Sequence, residues 1–571
     1  MNWHVMPKIS DEFRNQLSIY SLFTAQLLYN RGMKTSVEAE AFLKPDFLTG
    51  VHNPLLMTGM EEAIKIIKKS AQKKEKIFIY GDYDVDGVCS VLILKTVFDA
   101  IGVDGVESYI PDRAKEGYGL NSRALRELKK AGAKLIITVD CGISNFAEVK
   151  LAKKLAMKVI VTDHHQVVEG KVPEAAAVIN SHQPADKYPF KELAGAGVAY
   201  KLATALINEF KLVDGALKID EGLEKWLLDL VALATVADLA IMLDENRVLV
   251  KYGLIVLNKT RRVGIKELIN QASLSAKKID TYEISFLLSP RLNSASRMDH
   301  ANMAYALLAT NSSEEAKWLA QRLNQLNQER QSLVERLMKS IEAKINLDGK
   351  IIFEGGENWP NGVLSLVASK LCDRYSRPAF VFNQEGGEAR GSSRSVPAFN
   401  LVDALSQCAP LLNRFGGHPG AAGFSLSSKN LVAFKERLLE IAASLTPDVL
   451  VPTLEIEAEL SPDDIGWQSY EEVQSLAPFG RGNQRPIFSL SNLQIKNIKA
   501  VGNGGKHSKL ELRPVGYSKI FKAIAFNFTS VLDKLNADDM IDIAFELIAN
   551  EWNGSKDLEL KIVDLKVHQI V

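Results

Sequence analysis

Three β-branched, apolar runs in the first third of the chain end in acid: Lys76-Ile-Phe-Ile-Tyr-Gly-Asp-Tyr-Asp-Val-Asp-Gly87, Leu135-Ile-Ile-Thr-Val-Asp140 and Val159-Ile-Val-Thr-Asp-His-His165. In the first, Asp82, Asp84 and Asp86 alternate, and side chains at such spacing share one face of an extended segment. Carboxylates on one face repel unless cations lie among them. A helix-capping turn ahead of Gly87 is the other reading of the same residues, and Asp140 too reads as a strand-end cap or as a ligand. Asp163-His164-His165 is more specific, because imidazole and carboxylate together suit Mn²⁺ or a similar ion better than the all-oxygen preference of Ca²⁺. The fourth piece is Asp238, in the stretch Trp226-Leu-Leu-Asp-Leu-Val-Ala-Leu-Ala-Thr-Val-Ala-Asp-Leu239. That stretch is apolar almost all round, and a buried carboxylate needs a compensating charge. Two metals bridged by a carboxylate activate water and clamp the attacking and leaving oxygens of a displacement at phosphorus. Phosphoester hydrolysis is the chemistry to expect.

Such acids must be presented by a sheet. Apolar runs of this kind read as buried parallel strands, and open α/β sheets hold ligands at the C-terminal ends of their strands. Strands predicted at 76–81, 106–110, 135–139, 158–162 and 176–180 alternate with helices near 87–100, 122–131 and 145–155, the pattern of a doubly wound parallel sheet. Gly195-Ala-Gly197 then opens a run of helices to about 310. Ser312 to Ile345 reads as one long helix, with a capping signal in Ser312-Ser-Glu-Glu and Leu319, Leu323, Leu326, Leu333, Leu337 and Ile341 at helical steps. At ~1.5 Å per residue it is a strut of about 50 Å, with a coiled-coil dimer as the competing reading. A second α/β domain follows to about 446, with 388–395 read as a short loop. From Pro452 short strands and turns argue a small β-barrel or sandwich, and an OB-fold fits that size. The expected division is a helical segment at 1–50, a phosphoesterase domain at 51–311, a connecting helix at 312–346, a second α/β domain at 347–447 and an OB-like barrel at 448–571.

The bulk numbers agree with an α/β multidomain protein. A chain of 571 residues is too long for one ordinary core, and 46% hydrophobic with 24% charged residues is a globular balance. Lys+Arg and Asp+Glu both total 69, so any surface for a polyanion must be local. The start lacks an apolar signal core and no run approaches a membrane span, which predicts a soluble, cytoplasmic protein. Cys89, Cys141, Cys372 and Cys408 form no CxxC and read as reduced, buried thiols.

Several polar groups suit phosphate. Arg390-Gly-Ser-Ser-Arg394 offers two guanidiniums and two hydroxyls, that of Ser392 among them, and Arg291, Asn293, Arg297, Arg113 and Tyr118 invite the same reading. Gly417 and His418, within Gly416-Gly-His-Pro-Gly420, would let backbone approach a phosphate or simply form a tight turn. Lys496, Lys499, Lys506, Lys509, Lys519 and Lys522, with Phe521, Phe526 and Phe528, supply the barrel with basic and aromatic groups for strand tracking.

Together these motifs resemble the DHH phosphoesterase family. Gly-Asp-Tyr-Asp-Val-Asp-Gly87, Thr-Val-Asp140-Cys-Gly and Thr-Asp163-His-His are similar to its first three motifs, Ala-Thr-Val-Ala-Asp238 to its fourth, and Arg414-Phe-Gly-Gly-His418-Pro-Gly-Ala-Ala-Gly423 to the signature of the DHH-associated domain. Ser289-Pro-Arg-Leu-Asn-Ser-Ala-Ser-Arg297 and Leu476-Ala-Pro-Phe-Gly-Arg-Gly-Asn483 narrow the resemblance to its single-strand-specific 5′→3′ DNA exonucleases, over essentially residues 50–571. The resemblance implies two Mn²⁺ or Mg²⁺ ions held by Asp82, Asp84, Asp86, Asp140, His164 and Asp238. It places Asp163 and His165 as ligands or just behind them, with His165 polarising a phosphate. Tyr80 stands where related phosphoesterases can carry a histidine ligand. Single-stranded DNA is the implied substrate of a monomeric enzyme, with a single-strand-binding protein and a helicase as possible family partners. On this reading Asp163→Ala or His164→Ala abolishes Mn²⁺-dependent digestion and leaves the protein folded. The rivals are a phosphodiesterase acting on oligoribonucleotides or cyclic dinucleotides, and a non-enzymatic DNA-binding scaffold.

Overall fold

The acid-ending runs are strands, as their composition dictates. Ile77–Gly81 and Leu135–Val139 are buried at every position, and Lys158–Thr162 at all but its first residue. They form a five-stranded, all-parallel sheet in the order 106–109, 77–81, 135–139, 158–162, 177–179. The order reverses at Ile77–Gly81, which makes its C-terminal end the switch-point crevice where doubly wound sheets bind ligands. In this computed structural model the described residues are 1–571 other than 211, 214–215, 218–221, 348, 503–504, 529–531, 533–534, 553–554 and 569–571. They divide into two compact units, one of 51–240 with 245–451 and one of 1–50, 241–244 and 452–571.

In the first unit the apolar helix Val85–Ala100 leaves the first strand and packs against Gly195–Phe210 and Leu228–Ala237. The long helix is Ser313–Glu342, capped by the Ser312 hydroxyl accepting from the Glu315 N–H at 3.3 Å. Its first half packs on the helices Val263–Gln271 and Ser289–Met298 and its second on Asn361–Tyr375. Both halves of its apolar stripe are thus covered within the chain, so the stripe serves a strut and not a coiled-coil dimer. The second α/β domain carries a mixed sheet in the order 414–418, 421–427, 388–394, 379–385, 352–357. The segment read as a loop at 388–395 is therefore a central strand, Glu388–Arg394, paired on both sides. Its serines and arginines hid the strand from apolar periodicity.

The second unit is built on a closed barrel. Strands Phe488–Val501, His507–Pro514, Phe521–Phe526, Ser555–Val567 and Met540–Trp552 neighbour one another in that order, and the first and last pair to close it. Residues 1–50, expected as a lead-in, pack here: Leu17, Leu27, Leu28 and Phe42 share a core with Phe488, Leu490 and Phe545. Asn2–Val5 pairs in parallel with Thr453–Ile456. In the motif 476–483, the buried Asn483 amide donates to the Leu476 and Pro478 carbonyls, both at 2.8 Å, while its oxygen accepts from Arg31. That motif serves as a structural clasp. Among the described residues no helix is long and apolar enough to cross a membrane.

Candidate metal centre

The first acidic run turns from strand to helix within three residues. Asp82 follows the strand, Asp84 is the N-cap, accepting from the Asp86 and Gly87 N–H groups at 2.9 and 3.1 Å, and Asp86 lies in the first turn. The acids converge through this turn, not through the pleat expected from their alternation, and the capping and ligand readings hold together. Buried Asp82 keeps an oxygen, Oδ1, with no hydrogen-bond partner in the structure. Burial first, and Asp84 next, push its carboxyl well above the ordinary range, and the same causes raise Asp86 to about 7.

Asp86 is held from across the fold. Its two oxygens accept from the Gly195 and Ala196 N–H groups, each at 2.7 Å, at the start of the helix Gly195–Phe210, where the dipole favours an anion. Gly195 is required by the site itself, since a Cβ there would lie 2.8 Å from Asp140 Oδ1. Asp140 sits at φ 58°, the left-handed region, as the backbone turns off its strand. Burial, then Asp86, Asp84 and Asp82, raise its carboxyl strongly. His164 Nε2 is 3.1 Å from Asp140 Oδ1, 3.8 Å from Asp86 and 3.9 Å from Asp238, yet makes no hydrogen bond. The ring bonds the Leu193 backbone, which leaves Nε2 as a bare lone pair, and burial, then His165, hold its pKa down to about 3. A neutral nitrogen lone pair facing three carboxylates is an arrangement that a cation relieves.

Donor atoms within 4.8 Å of one another form three overlapping groups: Asp82, Asp84 and Asp140; Asp86, His164 and Asp238; and Asp140, Asp163, His164 and His165. All six residues expected as ligands are brought together, and their mix of carboxylate with one imidazole fits Mn²⁺ and admits Mg²⁺.

Asp163 differs from them. It is fully buried, and its oxygens accept from the Ile143, His164 and His165 N–H groups and contact His165 Nδ1 at 2.7 Å. Burial would raise its pKa, but the His165 bond and charge outweigh this and lower it. A carboxylate so committed orients its neighbour. Burial likewise opposes the imidazolium of His165, and Asp163 overcomes it to raise that pKa to about 9. Tyr118 packs edge-on against the same ring and donates its hydroxyl to the Asp140 carbonyl at 3.1 Å. Tyr80 points elsewhere, its hydroxyl donating to the Gly119 carbonyl inside the core.

Cations gather beside this centre. Arg113 stacks at 4.8 Å over the Tyr83 ring and lines a cavity of about 590 Å³ with Arg390, Arg414, Gly416 and Gly423. Strand register puts Arg390, Ser392 and Arg394 on one sheet face with Arg414, Gly416 and His418. A Cβ on Gly416 would meet nothing within 4 Å, whereas one on Gly417 would strike the Ala421 carbonyl at 2.3 Å, so Gly416 leaves open space and Gly417 closes a hairpin. Arg390 is tied to Glu388. Arg297 donates to the Gly362 carbonyl at 2.9 Å, and burial, then Arg113, lower its pKa to about 9. Asn293 accepts from the Val85 N–H at 3.1 Å and so supports the acidic turn. Arg291 stands apart, bonded to Asn324 and the Leu287 carbonyl. Tyr83, Arg414 and Arg330, whose charge bears on Arg297, were not foreseen. Arg330 is one of several basic residues on the long helix, and spacing gives it no distinguishing mark.

In the barrel the expected basic face is largely consumed. Lys496, Lys509 and Lys522 pair with Asp538, Glu559 and Asp557, and Lys519 donates to the Pro462 and Ile465 carbonyls. Phe521 is core, Phe528 packs partly against it, and Phe526 is exposed beside His507.

Comparison with known proteins agrees with this architecture. Models of the DHH family N-terminal domain, the DHHA1 domain and the RecJ OB domain match residues 76–235, 348–444 and 456–564. A single-stranded-DNA-specific exonuclease RecJ of Bacillus subtilis is 38% identical over all of this chain and 71% of its own length. The chain belongs to the RecJ family. RecJ of Escherichia coli is 31% identical, with 94% of each chain covered. RecJ of Thermus thermophilus, in a crystal structure in complex with Mn²⁺, superposes with a TM-score of 0.83 at 28% identity, covering 99% of this chain and 79% of that one. The Mg²⁺ complex gives 0.77.

Proposed function

We propose that this RecJ-family chain is a metal-dependent exonuclease that digests single-stranded DNA from the 5′ end and releases 5′-mononucleotides, in DNA repair and recombination. One observation carries the reading: Asp140 belongs to a carboxylate group with Asp82 and Asp84 and lies 3.1 Å from His164 of the neighbouring group, as a carboxylate bridging two ions would. Divalent ions at such a pair polarise a phosphoryl oxygen and make water nucleophilic at neutral pH. Asp82, Asp84 and Asp140 would hold one ion, and Asp86, Asp140, His164 and Asp238 the other.

The remaining residues bind and orient. Asp163 keeps His165 protonated and aimed, so that the imidazolium donates to a non-bridging phosphate oxygen, and Tyr118 fixes the ring from its edge. Arg113, Ser392 and Arg394 hold the terminal phosphate against the glycine-rich face, and phosphate contacts of this kind ignore base sequence. A helicase or a single-strand-binding protein would present the strand, and buried, unpaired cysteines accord with a reducing cytoplasm.

The test is digestion of end-labelled single- and double-stranded DNA and RNA with Mn²⁺ or Mg²⁺. Release of 5′ label as mononucleotide from single-stranded DNA alone is expected. Dinucleotide preference, or loss of 3′ label first, would refute the reading.

A further inference from the structure

Away from the metal centre, two aromatic side chains stand in solvent where a core would have claimed them. Tyr282 and Phe286 are 55% and 64% exposed, with ring centroids 4.8 Å apart and planes tilted by 38°. They lie on a helical run that begins at Thr281–Glu283, widens to a π-turn at Ile284–Leu288 and continues as Ser289–Met298. Pro290 explains the widening, because it has no N–H for the Phe286 carbonyl and its ring would clash there in a regular helix.

Phe286, Pro290, Asn293 and Arg297 recur at four-, three- and four-residue steps, so they follow one helix face. At one end of that face Asn293 accepts from Val85 in the acidic turn, and Arg297 reaches the Gly362 carbonyl. At the other end it emerges as the exposed aromatic pair. Between them Arg291 is braced by Asn324 Oδ1 at 3.0 Å and the Leu287 carbonyl at 2.6 Å, and among the described residues no carboxylate pairs with it. A held, uncompensated guanidinium on the same helical run as exposed rings, five residues beyond Phe286, is complementary to a polyanion carrying flat bases.

We propose that Tyr282 and Phe286 are a base-stacking platform for the DNA strand leaving the metal centre, with Arg291 on its backbone. The proposal rests on the single-strand nuclease reading and adds a substrate subsite to it. From Asn293 to Phe286 the helix rises about 10 Å at ~1.5 Å per residue, which is roughly three nucleotides of stacked strand at ~3.4 Å each. The platform therefore meets the third or fourth base.

The experiment uses the full chain in EDTA, so that binding is read without hydrolysis, and single-stranded oligonucleotides with 2-aminopurine at the third or fourth nucleotide from a 5′-phosphate. Wild-type protein should change the fluorescence of these probes. Phe286→Ala and Phe286→Leu should each raise Kd about tenfold and lose the fluorescence change, Leu showing that a flat ring and not apolar area is needed, while Phe286→Trp should retain both. An unchanged Kd and fluorescence response in Phe286→Ala, with its thermal unfolding unaltered, overturns the platform and leaves the rings as a surface for a protein partner. Digestion is measured separately. If the wild-type protein stacks the probe but does not cut the strand with Mn²⁺, the nuclease reading falls and the platform stands.

Discussion

At the scale of single residues, the centre is a store of electrostatic strain that a cation would release. Asp82, Asp86 and Asp140 are all raised by burial first and then by neighbouring carboxylates, Asp84 among them in each case, so each ionised carboxylate destabilises the fold while no ion is bound. Asp140→Asn should therefore behave oddly for a site mutation. Asparagine tolerates the left-handed φ at this position, so in EDTA at pH 8 the variant should melt higher than the wild type, yet lose activity by a hundredfold or more. A lower melting temperature in EDTA would contradict this. Asp163 should do the reverse. Expected from sequence as dispensable to folding, it is buried and holds three N–H groups, so Asp163→Ala should cost about 2–4 kcal/mol in urea unfolding. His164→Ala is the variant that separates chemistry from folding. The triplet's residue types were legible in the sequence, but their division of labour was not. It is set by the Leu193 and Ile143 backbone, and those neighbours come from distant parts of the chain.

At the scale of elements, the strand ends were easy to read because parallel strands are continuous apolar runs, and a terminal acid stands out against them. The strand Glu388–Arg394 was invisible for the opposite reason, since its arginines, serines and glycine give no apolar alternation. The start of Gly195–Phe210 shows what a glycine pair can conceal: a turn by composition, an anchor for Asp86 in fact. Gly195→Val should push into Asp140 and depress activity at least tenfold, with a raised requirement for Mn²⁺ measured by titration of the rate. In the other unit, Glu472 on the helix Trp467–Ser475 accepts from the Ser21 and Thr24 hydroxyls. Burial would raise its pKa, but these bonds and one from Gln468 lower it on balance. A depressed folded pKa stabilises above the unfolded value and ceases to as pH falls through the folded one. Glu472→Gln should thus destabilise at pH 7, by less than about 1 kcal/mol because solvent screens the partly exposed carboxylate, and not near pH 3, in melts of that unit's transition.

At the scale of the whole molecule, Mn²⁺ bound only by the folded site should stabilise by about 2.7 kcal/mol at a hundred times its Kd. Hydrogen exchange should slow at 77–87, 135–145 and 158–165 and stay unchanged in the barrel strands, and slowing spread evenly over both units would argue against a single site. The fold classes along the chain were legible because each has its own hydrophobic period. The company kept by residues 1–50 was not, because an amphipathic helix does not announce which distant surface will cover it. That partnership has a cost in time. Leu17, Leu27, Leu28 and Phe42 are synthesised more than 400 residues before the Phe488 and Phe545 surfaces that cover them. At ~5–20 residues per second the wait is roughly 20–90 s. During synthesis this enzyme carries a nascent, uncovered apolar face until its barrel is made, so holdase chaperones should decide its yield before any metal decides its activity.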